Sequence, residues 1–118
     1  MYSKLLAGGM IAAAALVLAG SSGARPQSTA VTTVVRVKAK DFVFVLSRKT
    51  VPHGRVEFVI TNPSPVAHDL AIAGHKSKLV QPGKSRTLTV TLKRGHYPYR
   101  CTVDSHAKLG MKGVLVVT

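Results

Sequence analysis

The last part of the chain carries a run of residue types that bind soft metal ions. The segment YRCTVDSHAKLGM, residues 99–111, contains Cys101, the single cysteine of the sequence, followed by His106 and then Met111, with four residues in each interval. A thiolate, an imidazole and a thioether are ligands that soft or borderline transition metals accept. The alternative is a buried free cysteine that acts as a small hydrophobe. The elements that position Cys101 must decide between the two.

Strand patterns occupy the chain from residue 31 onward, and no convincing helix interrupts them. Apolar residues alternate with polar ones in VVRVKAK (34–40), RVEFVIT (55–61) and TLTVTL (87–92), and the chain closes on GVLVVT (113–118). Such period-two runs of β-branched and aromatic residues are typical of half-buried strands. Turn residues separate them in VPHG, NPSP, QPGK and KRG. Seven or so short strands with this spacing predict an all-β fold, an antiparallel sandwich.

Alternate side chains of a strand share a face, which predicts where the candidate ligands point. In HYPYRC (96–101), Cys101 shares its face with Tyr99, and this aromatic face is predicted to be the inner one. In HDLAI (68–72), His68 shares its face with Leu70. We therefore expect an inward thiol and an inward imidazole, each at the end of its own strand.

The predicted ligand set combines one thiolate, two imidazoles and a thioether. Cys101, His106 and Met111 come from one loop, and His68 is brought to them by the fold. A sulfur-rich set with a weak axial methionine is typical of a blue-copper electron-transfer site. Of the other histidines, His53 is predicted in a turn, His75 in a polar loop and His96 on the outward face of its strand, and all three are interpreted as surface residues.

The sequence resembles the cupredoxins, small type 1 copper proteins, over roughly residues 31–118. The motifs that carry the resemblance are NPSPVAHDL, QPGKSRTLTV and GHYPYRCTVDSHAKLGMKGVLVV. The resemblance implies a Greek-key β-sandwich and one copper ion that cycles between Cu(I) and Cu(II). The metal ligands it implies are His68, Cys101, His106 and Met111.

The resemblance also implies roles for residues beside the ligands. Asp69 stands where relatives often have Asn or Glu, and it would strap the ligand segments together through Thr102. An apolar patch around His106 would serve as the port for electrons. The patch residues are Pro65, Val66, Ala67, Ala107 and Leu109, and the basic residues at its rim are Lys76, Lys78, Lys108 and Lys112.

The N-terminal segment is typical of a secretory signal peptide. Lys4 precedes an apolar and small-residue run over residues 5–20, which SSGARPQ follows. We predict a signal peptide over 1–24, with an uncleaved anchor as the alternative, a flexible leader over 25–30 and one domain over 31–118. The domain is therefore expected in the periplasm or outside the cell, with membrane tethering as an alternative. The lone cysteine excludes an internal disulfide.

The charge balance predicts the kind of partner. The chain has 17 Lys and Arg residues against 4 Asp and Glu, a formal net charge of +13. Export and the lack of an aromatic-rich stacking motif argue against nucleic acid. We expect a monomer that is steered to an acidic redox protein or to an anionic membrane surface.

Three other functions compete with electron carriage. A copper carrier or buffer would deliver the metal without redox turnover. A hydrolase using Cys101 with His106 is disfavoured, because the thiol is predicted to face inward and no third orienting group is evident; we expect no enzymatic activity. A zinc site is disfavoured because structural zinc sites use cysteine and histidine ligands and not methionine.

Overall fold

The computed structural model describes residues 31–118. The predicted signal peptide over 1–24 and the leader over 25–30 lie outside the described residues. Within residues 31–118, no helix has the length and apolar character needed to cross a membrane.

Two β-sheets and one short 3-10 turn make up the described part of the chain. The strands are β1 Thr33–Lys40, β2 Val43–Leu46, β3 Thr50–Val51, β4 Gly54–Thr61, β5 Ala71–Ile72, β6 His75–Lys76, β7 Ser85–Leu92, β8 Gly95–Arg100 and β9 Lys112–Val117. The 3-10 turn spans His106–Leu109. One sheet has four strands in the order β2-β1-β4-β7, and the other has five in the order β3-β9-β8-β5-β6. The predicted all-β Greek-key sandwich is confirmed.

The strand directions differ in two places from the antiparallel expectation. Strand β1 pairs with β4 in parallel, with Val35 opposite Phe58, and β3 pairs with β9 in parallel. Between β1 and β4 the chain forms β2 and then crosses to the other sheet as β3, so β4 returns in the direction of β1. Parallel neighbours require such a crossover because a tight hairpin reverses the chain.

The core lies between the sheets, and the alternation of the sequence fixes which side chains enter it. Strand β1 alternates strictly between buried and exposed residues, and Leu88 of β7 is only half-buried although Val90 and Leu92 are buried. Members exposed by 1% or less include Val35, Val37, Ala39, Val56, Phe58 and Ile60 from the first sheet. Their burial follows the predicted faces, because a strand's pleat sends alternate residues to one side.

One end of the second sheet brings the candidate ligands together. Strand β8 ends at Arg100 and β9 begins at Lys112, and these two residues face each other in register. The segment 101–111 therefore leaves the sheet and returns to it at one place, and the Cys101 amide donates to the Met111 carbonyl at 3.0 Å. On the other side β8 pairs with β5, which begins three residues after His68.

Packing against Tyr99 explains why position 113, at this end of the sheet, is a glycine. It lies opposite Tyr99 across β8 and β9. A Cβ at residue 113 would overlap the hydroxyl and ring carbons of Tyr99. Because Tyr99 is buried, with 6% of its surface exposed, glycine here makes room for the aromatic residue that shares its face with Cys101.

Candidate metal centre

Three donor atoms from two distant segments converge inside the protein. His68 Nδ1 lies 3.1 Å from His106 Nδ1, and Cys101 Sγ lies 3.7 Å from His106 Nδ1 and 4.0 Å from His68 Nδ1. The exposed fractions of His68, Cys101 and His106 are 0%, 1% and 5%. Such spacing allows one metal ion to contact all three.

Met111 is buried beside these residues, with 0% of its surface exposed. Its amide donates to the His106 carbonyl at 3.1 Å, and its carbonyl accepts from the Cys101 amide at 3.0 Å. Gly110 makes this return possible, because it ends the 3-10 turn at φ 117°, a left-handed conformation that glycine adopts without a side-chain penalty. The structure thus places all four predicted ligand residues at one end of the sandwich.

The remaining histidines lie away from this cluster. His53, His75 and His96 are all exposed, as predicted. The ring of His53 contacts the Thr118 carbonyl at 3.0 Å. In the described part of the chain, the one group of three potential metal-binding side chains found is that of His68, Cys101 and His106.

A carboxylate joins the two ligand segments. Asp69, which follows His68, accepts hydrogen bonds from the Thr102 amide at 2.6 Å and from the Thr102 hydroxyl. Asp69 is 5% exposed, so water competes little with these bonds. The strap that the resemblance implied is therefore present, with a carboxylate in the bridging position.

The family assignment now rests on sequence as well as on geometry. Residues 9–117 match the family described as Cupredoxin-like domain. The chain belongs to the cupredoxin-like family. No curated protein sequence matches it significantly.

Solved auracyanin structures share the fold of this chain. Auracyanin B is 21% identical with a TM-score of 0.65, covering 76% of this chain and 91% of its own. Dithionite-reduced auracyanin from the photosynthetic bacterium Roseiflexus castenholzii is 25% identical with a TM-score of 0.63, and the match covers 75% of this chain and 98% of that chain. Auracyanin A, a "blue" copper protein from the green thermophilic photosynthetic bacterium Chloroflexus aurantiacus, is 22% identical with a TM-score of 0.64, and the match covers 75% of this chain and 100% of that chain.

The residues of this cupredoxin fit one copper ion. The donors are a thiol and two imidazole nitrogens that face a common point, with a buried thioether residue on the same loop. Cysteine and two histidines with a weak methionine are the donor set of blue-copper sites. Closed zinc sites use four strong ligands from Cys, His or carboxylate side chains, and methionine does not supply one. The donor set therefore selects copper.

The tautomer of His68 follows from its outer nitrogen. Nε2 lies 2.9 Å from Ser64 Oγ and 3.1 Å from Asp41 Oδ1. The Ser64 hydroxyl donates its proton to the Val66 carbonyl at 2.9 Å, so Ser64 and Asp41 both act as acceptors toward the ring. Nε2 must therefore carry the hydrogen in the neutral ring, which leaves the Nδ1 lone pair directed at Cys101 and His106.

A buried asparagine holds the Ser64 segment in place. Asn62, which is 1% exposed, accepts from the Ser64 amide at 2.9 Å. Its side-chain amide donates to the Val66 carbonyl at 2.7 Å and to the Val80 carbonyl at 2.9 Å. Val80 in turn exchanges backbone hydrogen bonds with His68. The NPSP turn is thus part of the support of His68.

Burial changes the pKa values of two ligands in the metal-free protein. Desolvation raises the pKa of the Cys101 thiol, although backbone hydrogen bonds act in the opposite direction. Desolvation also lowers the pKa of His68, while its hydrogen bond with Asp41 acts to raise it. Both groups are therefore neutral near pH 7, and metal binding must release the thiol proton because the thiolate is the ligand.

Sequence reasoning missed the contributions of β1 and β2 to the site. Asp41 and Phe42 lie in the turn between these strands. The ring of Phe42 packs 4.8 Å from that of His106 and 6.4 Å from that of His68, measured between centroids. The roles of Asn62 and Ser64 were also missed. The neighbouring Asp41 and Phe42 were only a weak signal for a role at the metal site, because nothing in the sequence relates Asp41 to His68, which is 27 positions later.

Proposed function

We propose that this cupredoxin is an exported type 1 blue copper protein that carries single electrons between redox partners. The observation that carries the proposal is the buried convergence of Cys101 Sγ with the Nδ1 atoms of His68 and His106. The N-terminal apolar run supports export to the periplasm or the cell exterior. Burial of Cys101 to 1% exposure leaves no surface at which the thiol could attack a substrate.

The protein's part in this chemistry is to hold its ligands still. Bound copper supplies a one-electron couple between Cu(II) and Cu(I). His68 and Cys101 are fixed near strand ends, and Asp69 ties their segments together through Thr102. Met111 closes the loop and would contribute a weak thioether ligand to a bound copper ion. A ligand frame held by backbone and side-chain hydrogen bonds needs little rearrangement between the two oxidation states.

We propose the surface above His106 as the electron port. His106 is only 5% exposed, so a partner would meet the edge of its ring and the side chains around it. Leu109 is 60% exposed, and Pro65 is also exposed. Val66, Ala67 and Ala107 are half-buried, as is Phe42, which lies against the His106 ring. These side chains would form an apolar contact surface.

Exposed basic residues lie at the same end and support an acidic redox partner. Across the second sheet, Lys76 of β6 lies opposite Ala71 of β5, and Ala71 lies opposite Arg100 of β8. Arg100 in turn lies opposite Lys112 of β9. The three basic side chains therefore lie in one cross-strand row on the outer face of the second sheet, directly before Cys101. Lys108 lies in the 3-10 turn and Lys78 in the loop after β6. We propose that this charge steers an acidic protein toward the port.

Electron transfer with an anionic partner should slow as salt is added. Ferricyanide is a suitable probe, and the rate at which it oxidises the reduced protein should fall as ionic strength rises from about 0.01 M to 0.5 M, because ions screen the attraction. Arg100→Glu should reduce both the rate at low salt and its salt dependence. Arg94→Glu is the matched control, since it makes the same charge change in the turn at the opposite end of β8.

A flat salt profile, or equal effects of the two substitutions, would remove the steering proposal. Binding of the protein to anionic phosphatidylserine vesicles, lost on the same Arg100→Glu change without any effect on ferricyanide oxidation, would indicate a membrane surface as the partner instead.

The electron-carrier proposal is tested by adding Cu(II) to the purified metal-free domain. We expect intense visible thiolate-to-copper absorption, a reversible one-electron potential and fast electron self-exchange. A coloured complex with slow self-exchange would instead favour a copper carrier or buffer that delivers the metal without redox turnover. Stoichiometry should be one ion per chain, measured by copper analysis of the coloured form.

A further inference from the structure

Carboxylates are scarce in this protein, yet two of them contact the ligand frame. The chain has 4 Asp and Glu residues against 17 Lys and Arg. Asp69 bridges to Thr102, and Asp41 approaches the ring of His68. In so basic a protein, a carboxylate at a metal ligand is a marked local departure from the overall charge.

The Asp41 carboxylate has no cationic partner of its own among the described residues. Its one close contact with a basic side chain there is with His68 Nε2, at 3.1 Å, and 34% of the Asp41 side chain is exposed against 0% for the His68 ring. With Nε2–H donating to Asp41, the ring itself stays neutral. The Asp41 carboxylate is partly removed from water, so it acts on the site more strongly than a freely exposed carboxylate.

The carboxylate and the hydroxyl also fix the ring's orientation. Ser64 Oγ lies 2.9 Å from the same Nε2, and Asn62 holds the Ser64 amide. A histidine ligand whose outer N–H donates to a carboxylate has a fixed tautomer and greater basicity at its other nitrogen. Ser64 and Asp41 therefore hold the His68 ring with its Nδ1 directed at the metal position.

We propose that Asp41, assisted by Ser64, is a positioning residue that orients His68 and lowers the reduction potential of the site. This inference rests on the proposed function. The oxidised ion carries one more positive charge than the reduced ion, so a nearby anion and a more basic imidazole stabilise Cu(II) more than Cu(I). Asp41 thus biases the site toward the oxidised state.

Asp41→Asn tests the charge with the least change of shape, because the amide oxygen can still accept from Nε2–H. We expect Cu(II) affinity to fall by roughly tenfold, the low end of the range for residues that support metal ligands, with Cu(I) affinity changed less. A tenfold change in the ratio of the two affinities corresponds to a rise of about 59 mV in the potential of a one-electron couple. Voltammetry and competition titration measure the two quantities.

Glu57→Gln is the matched control, because it removes one carboxylate charge in the same conservative way. Glu57 lies on β4, between Val34 and Thr89 in the neighbouring strands, outside the ligand cluster. We expect its potential to stay at the wild-type value. Equal shifts for both substitutions would mean that net charge alone matters, and would overturn the role of Asp41.

A second measurement tests orientation without redox chemistry. In the diamagnetic Cu(I) form, ¹⁵N NMR should show His68 protonated at Nε2, with slow exchange of that proton. Asp41→Ala with Ser64→Ala should accelerate the exchange, and Glu57→Gln should not. Unchanged exchange and an unchanged potential, in variants that still form the coloured site, would overturn this inference alone. If the wild-type protein binds no copper, the proposed function fails as well.

Discussion

Replacement of Cys101 by serine is expected to abolish the intense visible absorption that Cu(II) produces in the wild-type protein. The absorption requires a sulfur-to-copper bond, and serine supplies an oxygen that stays protonated near neutral pH. Copper affinity should fall by well over the tenfold to hundredfold that loss of a supporting residue causes, because a ligand itself is removed. Visible spectroscopy and electron paramagnetic resonance of the copper-titrated variant measure the effect.

The fold of the Cys101→Ser variant should survive, so that loss of colour reports on the site. The hydroxyl would replace a thiol with 1% exposure, at a cost of about 1–3 kcal/mol if it found no partner. Circular dichroism and thermal unfolding of the metal-free proteins check this. His75→Ala is the control for a non-ligand histidine, because His75 is exposed on β6. A Cys101→Ser variant that keeps the wild-type colour would contradict the assignment of the thiolate.

Substitution of Asp69 by alanine is expected to weaken both the metal-free fold and the metal site. The change would leave the Thr102 amide and hydroxyl without the acceptors that Asp69 provides. Loss of the charge-assisted bonds should lower the free energy of unfolding by about 1–3 kcal/mol. Copper affinity should fall by roughly 10- to 100-fold, because the strap supports the segments of His68 and Cys101. Chemical denaturation and copper competition titration measure the two effects.

Asp69→Asn separates the strap from its charge. An asparagine can accept from the Thr102 amide and donate to the Thr102 hydroxyl, so most of the stability and affinity should return, while the reduction potential should rise above the wild-type value. Equal losses of stability in the alanine and asparagine variants would show that the charge, and not the bridge, holds the two segments together.

The strand patterns determined much of the fold before any tertiary information. Alternation in VVRVKAK and RVEFVIT predicted which side chains enter the core, and Val35 and Phe58 are buried accordingly. Parity also predicted that Cys101 and His68 face inward, and both are buried. The predictions for the strands succeeded because the pleat of a strand fixes the side of each residue locally, without knowledge of the neighbouring strand. His68 lies three residues before β5, and Asp69 and Leu70 beside it are both buried, so the burial of His68 follows from the fold and not from alternation.

The same patterns could not predict which strands pair or in which direction. The parallel pairing of β1 with β4 depends on the path of β3 into the other sheet, and alternation is the same in parallel and antiparallel strands. Family resemblance supplied the Greek-key arrangement, which periodicity alone did not.

The sequence by itself determined the ligand types, their order and the inward face of β8 that Cys101 continues. Only the tertiary structure decided that Asp41 and Ser64 would meet His68 Nε2 and that Phe42 would pack against both imidazole rings. The physical reason is that hydrogen bonds and ring contacts act over a few ångströms. Asp41 is separated from His68 by 27 positions along the chain, and only the packing of two sheets brings the turn between β1 and β2 to the segment before β5 that carries His68.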